Sequence, residues 1–501
     1  MVVILAVCVF ALIKVRYLSS EQFQDRNVSS FHIAGYAVLW LAVWWIFFSR
    51  AFWRLRLVIV AVFLGLAGSL TAAFRIRGVT GDFMPVIETR WARRVTSPPA
   101  VGQPAVNLSS SDRPDFPQYL GPDRNGIIGG TAKLASDWER QPPQELWRQP
   151  IGPAWSGFAI VGNRAVTLEQ RDDKEAVICL DVLTGRLLWE HVDLARFTNP
   201  LAGEGPRSTP SIVDGRVYTL GATGLLNCLA LETGAPLWQR QMSTEAPQGL
   251  PEFGYASSPL VYDGKVFVCT GQTDGGSLFA YGVANGELIW RAGLRATSYS
   301  SPTLMTLGNV PQIVSFNMRF ITAHDPTTGK VLWEAPWGRG QPQIAQPVVV
   351  GQDRLVFSSG YGVGCEMFQI KRGVDGQFSA ERIWKTLNLK AKISNFVHRD
   401  GFLYGLDDGI LTCLDVRDGS RRWKAGRYGH GQFLLLGDLM LLVAENGELW
   451  LLAPTPDAPN ERTRFRVFNA KCWNPPALSG NILLLRTDRE AACFRVPFAS
   501  R

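Results

Sequence analysis

The sequence predicts an all-β protein, an eight-bladed β-propeller, preceded by N-terminal transmembrane helices. Three observations carry this prediction. A near-identical eleven-residue segment recurs down the chain, which marks a repeat architecture. Asp-Gly dipeptides stand between short β-rich runs at matching points of the repeat, the signature of tight hairpins. Residues 1–74 hold three uncharged apolar stretches.

Those stretches are Met1 to Ile13, Ile33 to Phe48 and Leu57 to Phe74. A membrane-spanning helix needs about 20 mostly apolar residues. The third stretch meets this, and the second does once Phe31 and His32 are included. The first is short, and it lacks the basic leader and small-residue cleavage site of a signal peptide. Two to three transmembrane helices are therefore expected in residues 1–74. The connection "SRAFWRLR" carries Arg50, Arg54 and Arg56 and no acid. Cytoplasmic loops hold the Lys/Arg excess. This places the chain in the inner (cytoplasmic) membrane with everything after Phe74 on the periplasmic side. Residues 75–144 read as a Pro/Ser-rich linker and a leader, with an extended, solvated tether up to about Asp115.

Charge follows the same division. The chain of 501 residues has a formal net charge of +8. Eleven Lys/Arg against four Asp/Glu in residues 1–94 account for +7 of it. The remainder is nearly neutral and lacks the basic footprint of a nucleic-acid binder.

The repeat occupies residues 145–501. "CLDVLTGRLLW" (Cys179 to Trp189) returns as "CLALETGAPLW" (Cys228 to Trp238) and "CLDVRDGSRRW" (Cys413 to Trp423), and more loosely as "AYGVANGELIW" and "AHDPTTGKVLW". The tryptophans ending these copies are Trp147, Trp189, Trp238, Trp290, Trp333, Trp384 and Trp423, spaced 39 to 52 residues apart. Periods of about 40–50 with short strands indicate four-stranded propeller blades. Asp181 can hold the turn through backbone N–H groups. Gly185, Gly234, Gly286, Gly329 and Gly419 supply a left-handed conformation. Each tryptophan offers a flat surface to lie between neighbouring blades. First strands open near Trp155, Ser208, Ser257, Ser300, Gln346, Ser394, Gln432 and Pro475, which gives eight blades, with seven as the alternative. The last blade has three strands before the chain stops. "ELWRQPI" (Glu145 to Ile151) is the strand left over to complete it and close the ring.

The repeats resemble the pyrroloquinoline-quinone (PQQ)-type propeller repeat, and the chain is similar to the BamB-type, PQQ-binding-like proteins of the bacterial envelope. "FPQYLGPDRNG" (Phe116 to Gly126) resembles the leader that such proteins place before the first blade. The resemblance implies two functions. One is a quinoprotein dehydrogenase holding PQQ and Ca²⁺ in the propeller funnel and oxidising alcohols or sugars. The other is a non-catalytic scaffold that binds partners in outer-membrane protein assembly.

The residues favour the scaffold. The alcohol-dehydrogenase branch has two adjacent cysteines beside its quinone, and this chain has no Cys-Cys pair. Cys179, Cys228, Cys413 and Cys493 fall at one repeat position and read as small buried apolar residues, although an even cysteine count outside the cytoplasm leaves one or two disulfides open. Asp407-Asp408, Asp172-Asp173 and Glu204 are the carboxylates available for Ca²⁺. Each lies in a turn-like context, where a solvated turn explains it. No zinc or nucleophile motif occurs, so no catalytic, metal or cofactor-binding residue is assigned. Arg207, Ser208, Ser257, Ser258, Ser300 and Ser301 stand at the starts of innermost strands. They form a candidate funnel rim, to bind a ligand or simply to fit the taper. Tyr255, Tyr299 and Arg319 are further rim candidates, and Trp155, Trp337 and Trp473 are candidates for glycan stacking. The expected partners are envelope proteins and the membrane, not nucleic acid.

Overall fold

Cross-strand geometry turns the repeated letters into a blade. In the computed structural model, which describes residues 2–19, 22–92, 113–129, 134–245, 249–270 and 276–499, the cysteine of the repeat lies directly opposite its tryptophan. Cys228 pairs with Trp238 and, on its other side, with Tyr218. The same row recurs as Val166–Cys179–Trp189, Phe267–Ala280–Trp290, Tyr404–Cys413–Trp423 and Leu484–Cys493–Trp147. A small central residue leaves room for large rings on both flanks, because directly opposed side chains stand only about 5 Å apart. This is why cysteine and alanine alternate at one position. All eight cysteines are free, and the seven in the propeller are buried.

Most of these tryptophans also grip the following blade, whereas Trp333 donates to Gln312 of its own blade at 2.8 Å. The indole of Trp189 packs on Gly234, and a Cβ there would lie 2.4 Å from the ring. Trp147 meets Gly185, Trp238 meets Gly286, Trp290 meets Gly329 and Trp384 meets Gly419 in the same way, each glycine at a φ near +70°. The indole N–H then donates to the next blade's turn. Trp189 reaches the Leu231 carbonyl at 2.7 Å, Trp147 that of Val182 at 2.9 Å and Trp384 that of Val416 at 3.0 Å. In those turns the acceptor residue is itself anchored through its own N–H, as Val182 is to Asn163. Pro326 has no N–H to anchor with, and Trp290 correspondingly finds no acceptor.

Eight four-stranded meanders result, the seventh extended by a short parallel strand, Ile127–Ile128. Blade eight is completed by Gln144–Pro150 from the other end of the propeller, paired antiparallel with Glu490–Arg495. The ring therefore closes as the leftover strand predicts. This closure also explains why the fourth strand of blade seven lacks the repeat tryptophan. Blade eight has no turn between its third and fourth strands, so no glycine is there to receive a ring, and Thr463 stands in the row opposite Leu451. The Asp-Gly turns form as expected: Asp214, Asp263 and Asp400 have φ of 48–50°, followed by glycines at positive φ.

The chain divides into two compact units, Met1–Arg94 with Pro200–Gly203, and Val95–Asn199 with Glu204–Arg501. In the first, α1 (Val2–Ile13) is followed by a π-helical turn, and then by α2 (Phe23–Phe48) and α3 (Trp53–Ala73). Only α2 and α3 are long and apolar enough to cross a membrane, among the described residues. α1 rises about 18 Å, well short of a bilayer core. Arg56 donates to the Ile46 and Ala51 carbonyls and so covers the C-terminal end of α2, where a cation is favoured. Residues 74–89 depart from the expected tether. Phe74–Val79 and Pro85–Thr89 form an antiparallel hairpin, with Arg75 donating to Glu88 across it at 2.8 Å. Pro85 opens the second strand, where a missing N–H is tolerated. Pro98, Pro99, Pro104 and Ser109 to Ser111 lie outside the described residues.

The tryptophan–glycine contact yields a graded prediction. Gly234→Ala should destabilise the propeller by about 2–4 kcal/mol, from positive φ and overpacking together. Gly215→Ala, also at positive φ but with open space around it, should cost about 1–2 kcal/mol. Thermal unfolding of the two variants in one detergent checks the order.

Candidate functional site

The sequence places small polar residues just before each innermost strand, and the structure links them into a ring around the channel. The Gly157 N–H donates to Thr209 Oγ1 at 3.0 Å, the Thr209 N–H to Ser258 Oγ at 2.9 Å and the Ser258 N–H to Ser301 Oγ at 2.9 Å. Ser300 Oγ donates to the Ala345 carbonyl at 3.1 Å, and the Gln346 N–H to Asn395 Oδ1 at 2.8 Å. Gln432 Nε2 reaches the Ile393 carbonyl, Trp473 Nε1 reaches Glu445 Oε1, and Asn474 Nδ2 reaches the Ala154 and Ser156 carbonyls. Each bond joins neighbouring blades. Ser208 donates to the Leu220 carbonyl and Ser257 meets the Cys269 thiol. The predicted serines are thus brought together, all buried, with hydroxyls engaged inside the protein.

The leader lies across one mouth of the channel. Phe116 exchanges both backbone hydrogen bonds with Ile160 of blade one, and the Pro117 carbonyl accepts from Ile212 of blade two. Arg124, 4% exposed and at φ +54°, reaches the Pro259 carbonyl at 2.9 Å, that of Ser258 at 3.0 Å and that of Pro302 at 3.3 Å, in blades three and four. The Tyr119 hydroxyl accepts from Asn395 of blade six at 2.8 Å, and Ile127–Ile128 pairs with blade seven. Burial pulls the Arg124 guanidinium down to about 10, with Tyr119 and Cys269 acting the other way. A buried cation is tolerable where several oxygens satisfy its donors.

The other mouth is bordered by the connections from each fourth strand to the next blade. Arg207 lies 4.5 Å from the Phe197 ring centroid and is held down near 10 by burial. Tyr299 packs edge-on against Phe253, and Tyr255 lies buried against Gly224. Arg319 is exposed beside Gly340, away from the ring of serines. Trp155 and Trp473 meet at a tilt of 48° with ring centroids 5.1 Å apart, and Lys471 Nζ lies over both rings at 4.5 and 3.7 Å. Trp337 does not join them. It is buried against Phe316 and Phe357, so its role is to pack a blade. On the connections that follow fourth strands, leucines face solvent: Leu194 at 81% exposure, Leu294 at 70%, Leu387 at 59% and Leu250 at 48%. Ile289 and Leu288 are exposed on an outer strand, and Val374 on the turn between the third and fourth strands of blade five.

The residues do not fit PQQ with Ca²⁺. Ca²⁺ takes six to eight oxygen ligands. Asp407 is bound by both Lys390 and Lys424, and Asp408 lies 3.5 Å from Lys390. Asp172 and Asp173 are exposed on a turn, and Glu204 faces Arg196 at 3.8 Å. Glu175 accepts the Ala222 N–H at 3.1 Å. Among the described residues no three His, Cys, Asp or Glu side chains converge. The thiols, pushed up by burial, are not poised for redox chemistry.

Sequence reading missed Arg124, Tyr119 and the exposed leucines. "GPDRNG" carries every mark of a solvated turn, and nothing local shows that its arginine points into a channel. Leucines in connections have no period to reveal them.

A family model described as outer membrane protein assembly factor BamB matches residues 139–290 and 173–425, together more than half of the chain. No curated protein matches significantly. The fold is similar to that of the quinohemoprotein alcohol dehydrogenase of Comamonas testosteroni, with TM-score 0.55, 12% identity, and coverage of 77% of this chain and 81% of that one. It is similar also to quinohemoprotein alcohol dehydrogenase ADHIIG of Pseudomonas putida HK5, with TM-score 0.54, 11% identity and the same coverage, 77% and 81%. BamB of Moraxella catarrhalis aligns with TM-score 0.49 and 14% identity over 70% of this chain and 99% of that one.

Glu175 gives this face a pH dependence. Burial pushes its carboxyl up to about 7, and the Ala222 N–H offsets this only in part. The folded state then holds a proton that the unfolded state releases near 4.5. Stability should fall as pH rises from about 4.5 through 7, by up to about 3 kcal/mol. Glu175→Gln should remove this slope. Melting curves at pH 5 and pH 8 should show the variant gaining on the parent at the higher pH.

Proposed function

We propose that this chain, which belongs to the family of the outer membrane protein assembly factor BamB, is a membrane-tethered, non-catalytic scaffold. Its propeller lies on the periplasmic side of the inner membrane and binds envelope proteins at the mouth bordered by the fourth-to-first-strand connections. The observation that carries this reading is the exposure of Leu194, Leu250, Leu294 and Leu387 on those connections. Apolar side chains held in water without internal partners favour contact with another surface. The leader lies across the opposite mouth, with Arg124 on blades three and four and Tyr119 on blade six. Connections at one end of a rigid ring can carry recognition without disturbing the core. The serine ring serves to hold blades together, and of the candidate quinone ligands Asp407 and Asp408 face lysines, Glu204 faces an arginine, and Asp172 and Asp173 lie exposed on a turn.

Site-directed photo-crosslinking in the membrane of the producing cell tests the proposal. A photoreactive residue at Leu194 or Leu294 should give polypeptide adducts, and one at Asp214 or Thr328, in turns of the other face, should give none. Adducts equally abundant from both faces, or none from either, would contradict it. Leu294→Asp should reduce adduct formation from position 194 by about tenfold while leaving the melting temperature within a few degrees.

A further inference from the structure

The hairpin that follows α3 carries its apolar side chains outward and its ion pair inward. Its register sets Phe74 opposite Thr89 and Ile76 opposite Ile87, with Arg75 opposite Glu88 on the alternate face. A sheet with one face in water keeps polar residues on that face and apolar ones against the core. Here Ile76 is 65% exposed and Ile87 62%, and Phe74, Met84 and Trp91 are exposed as well. The Glu88 side chain is 8% exposed, bonded to Arg75 and 3.9 Å from Arg77. An isolated two-stranded hairpin is marginally stable in water, so an apolar face left open calls for a cover.

Chain connectivity says what the cover is. α3 ends at Ala73 and the first strand begins at Phe74, with no linking residue, and the Phe74 N–H still bonds the Leu70 carbonyl. Arg90, just past the second strand, returns to the helix. Its N–H donates to the Ala73 carbonyl at 2.9 Å and its Nε to that of Thr71 at 2.8 Å. The base of the hairpin is thereby fixed to the end of an apolar helix. Its tip is fixed to α2, where Asn27 donates to the Asp82 carbonyl at 2.7 Å. Asn27 stands about 9 Å along its helix from Ile33, where the uncharged stretch of α2 begins. Phe74–Val79 is about 17 Å long. With α2 and α3 crossing a bilayer side by side, a hairpin of that length meets Asn27 by leaning over the lipid rather than standing upright.

We propose that the hairpin Phe74–Thr89 is an interfacial membrane-binding element, lying on the leaflet from which α3 emerges. Phe74, Ile76 and Ile87 enter the boundary between headgroups and acyl chains, where their apolar surface leaves water. Trp91 sits at headgroup level, the depth that amphipathic rings favour. Arg75 and Glu88 stay on the face turned away from the lipid. The inference rests on α3 crossing the membrane. A bilayer adjoins this face through the chain itself, whereas nothing joins the face to a polypeptide partner.

The test uses the full chain in phospholipid nanodiscs, with Cys8→Ser to remove the one cysteine that is not buried. A nitroxide is attached at Ile76→Cys or at Ile87→Cys. Its relaxation by oxygen, which concentrates in lipid, is compared with its relaxation by a water-soluble nickel complex. Leu64→Cys in α3 and Asp214→Cys on a propeller turn serve as the lipid and water references. Oxygen should dominate at positions 76 and 87, as at 64, and nickel at 214. Nickel dominating at 76 and 87 while oxygen dominates at 64 would overturn the proposal and leave α3 as a span. Nickel dominating at 64 as well would remove the span, and the proposal with it. Trp91 gives a readout that needs no cysteine in the hairpin. Lipids brominated near their carbonyls should quench the fluorescence that the parent shows over Trp91→Phe, and an unquenched difference would overturn the proposal as well.

Discussion

The contact on which the rest of this propeller depends is an indole lying on the glycine turn of the next blade. One four-stranded sheet leaves both faces exposed, and it gains burial only by stacking on neighbours. The repeat provides for this twice over. Inside a blade, a small residue such as Cys228 makes room for Trp238 beside it. Between blades, Trp238 reaches over Gly286, and its N–H is satisfied by the Val283 carbonyl at 3.0 Å. A side chain on that glycine would push the blades apart, so turn, tryptophan and small residue form one unit. At the closure the unit is lost together: blade eight has no such turn, and blade seven has Thr463 in place of tryptophan.

A ring held from outside by tryptophans still needs its centre fixed. The inner strands converge there, and their first backbone groups would be left without partners. Hydroxyls and amides from the next blade supply them, from Thr209, Ser258 and Ser301 round to Asn474. The leader adds a second fixture by placing Arg124 among three carbonyls of blades three and four. The two ends of the ring are thereby made unlike. One is crossed by the chain's own leader. The other carries aromatic and charged side chains, Trp155, Trp473, Lys471 and Arg207 among them, and this difference is the physical basis for proposing recognition there.

Much of the architecture was legible because the repeat states it directly. The spacing of tryptophans, the Asp-Gly turns and the leftover "ELWRQPI" led to eight blades and to the closure, and two of three apolar stretches are long helices. What could not be read depends on contacts distant in sequence. Arg124 meets Pro302, 178 residues away. The hairpin at Phe74–Thr89 was missed because the alternation of Phe74, Arg75, Ile76 and Arg77 is brief, while the partner of its arginines, Glu88, lies on the other strand. Trp337 lies outside the repeat position, which suggested an exposed role, but the aromatic cluster of blades four and five buries it. The candidate rim was half legible: the serines do gather at the channel, but their hydroxyls bond within the protein.

The central claim is that a quinone-type fold works here without quinone chemistry. A titration of the full-length protein in detergent with PQQ and Ca²⁺ tests it most directly. Trp155 and Trp473, at the open mouth, would report occupancy through tryptophan fluorescence, and dye reduction with a panel of alcohols and sugars would report turnover. The account predicts no saturable quenching and no substrate-dependent reduction. Stoichiometric binding accompanied by substrate-dependent dye reduction would contradict it.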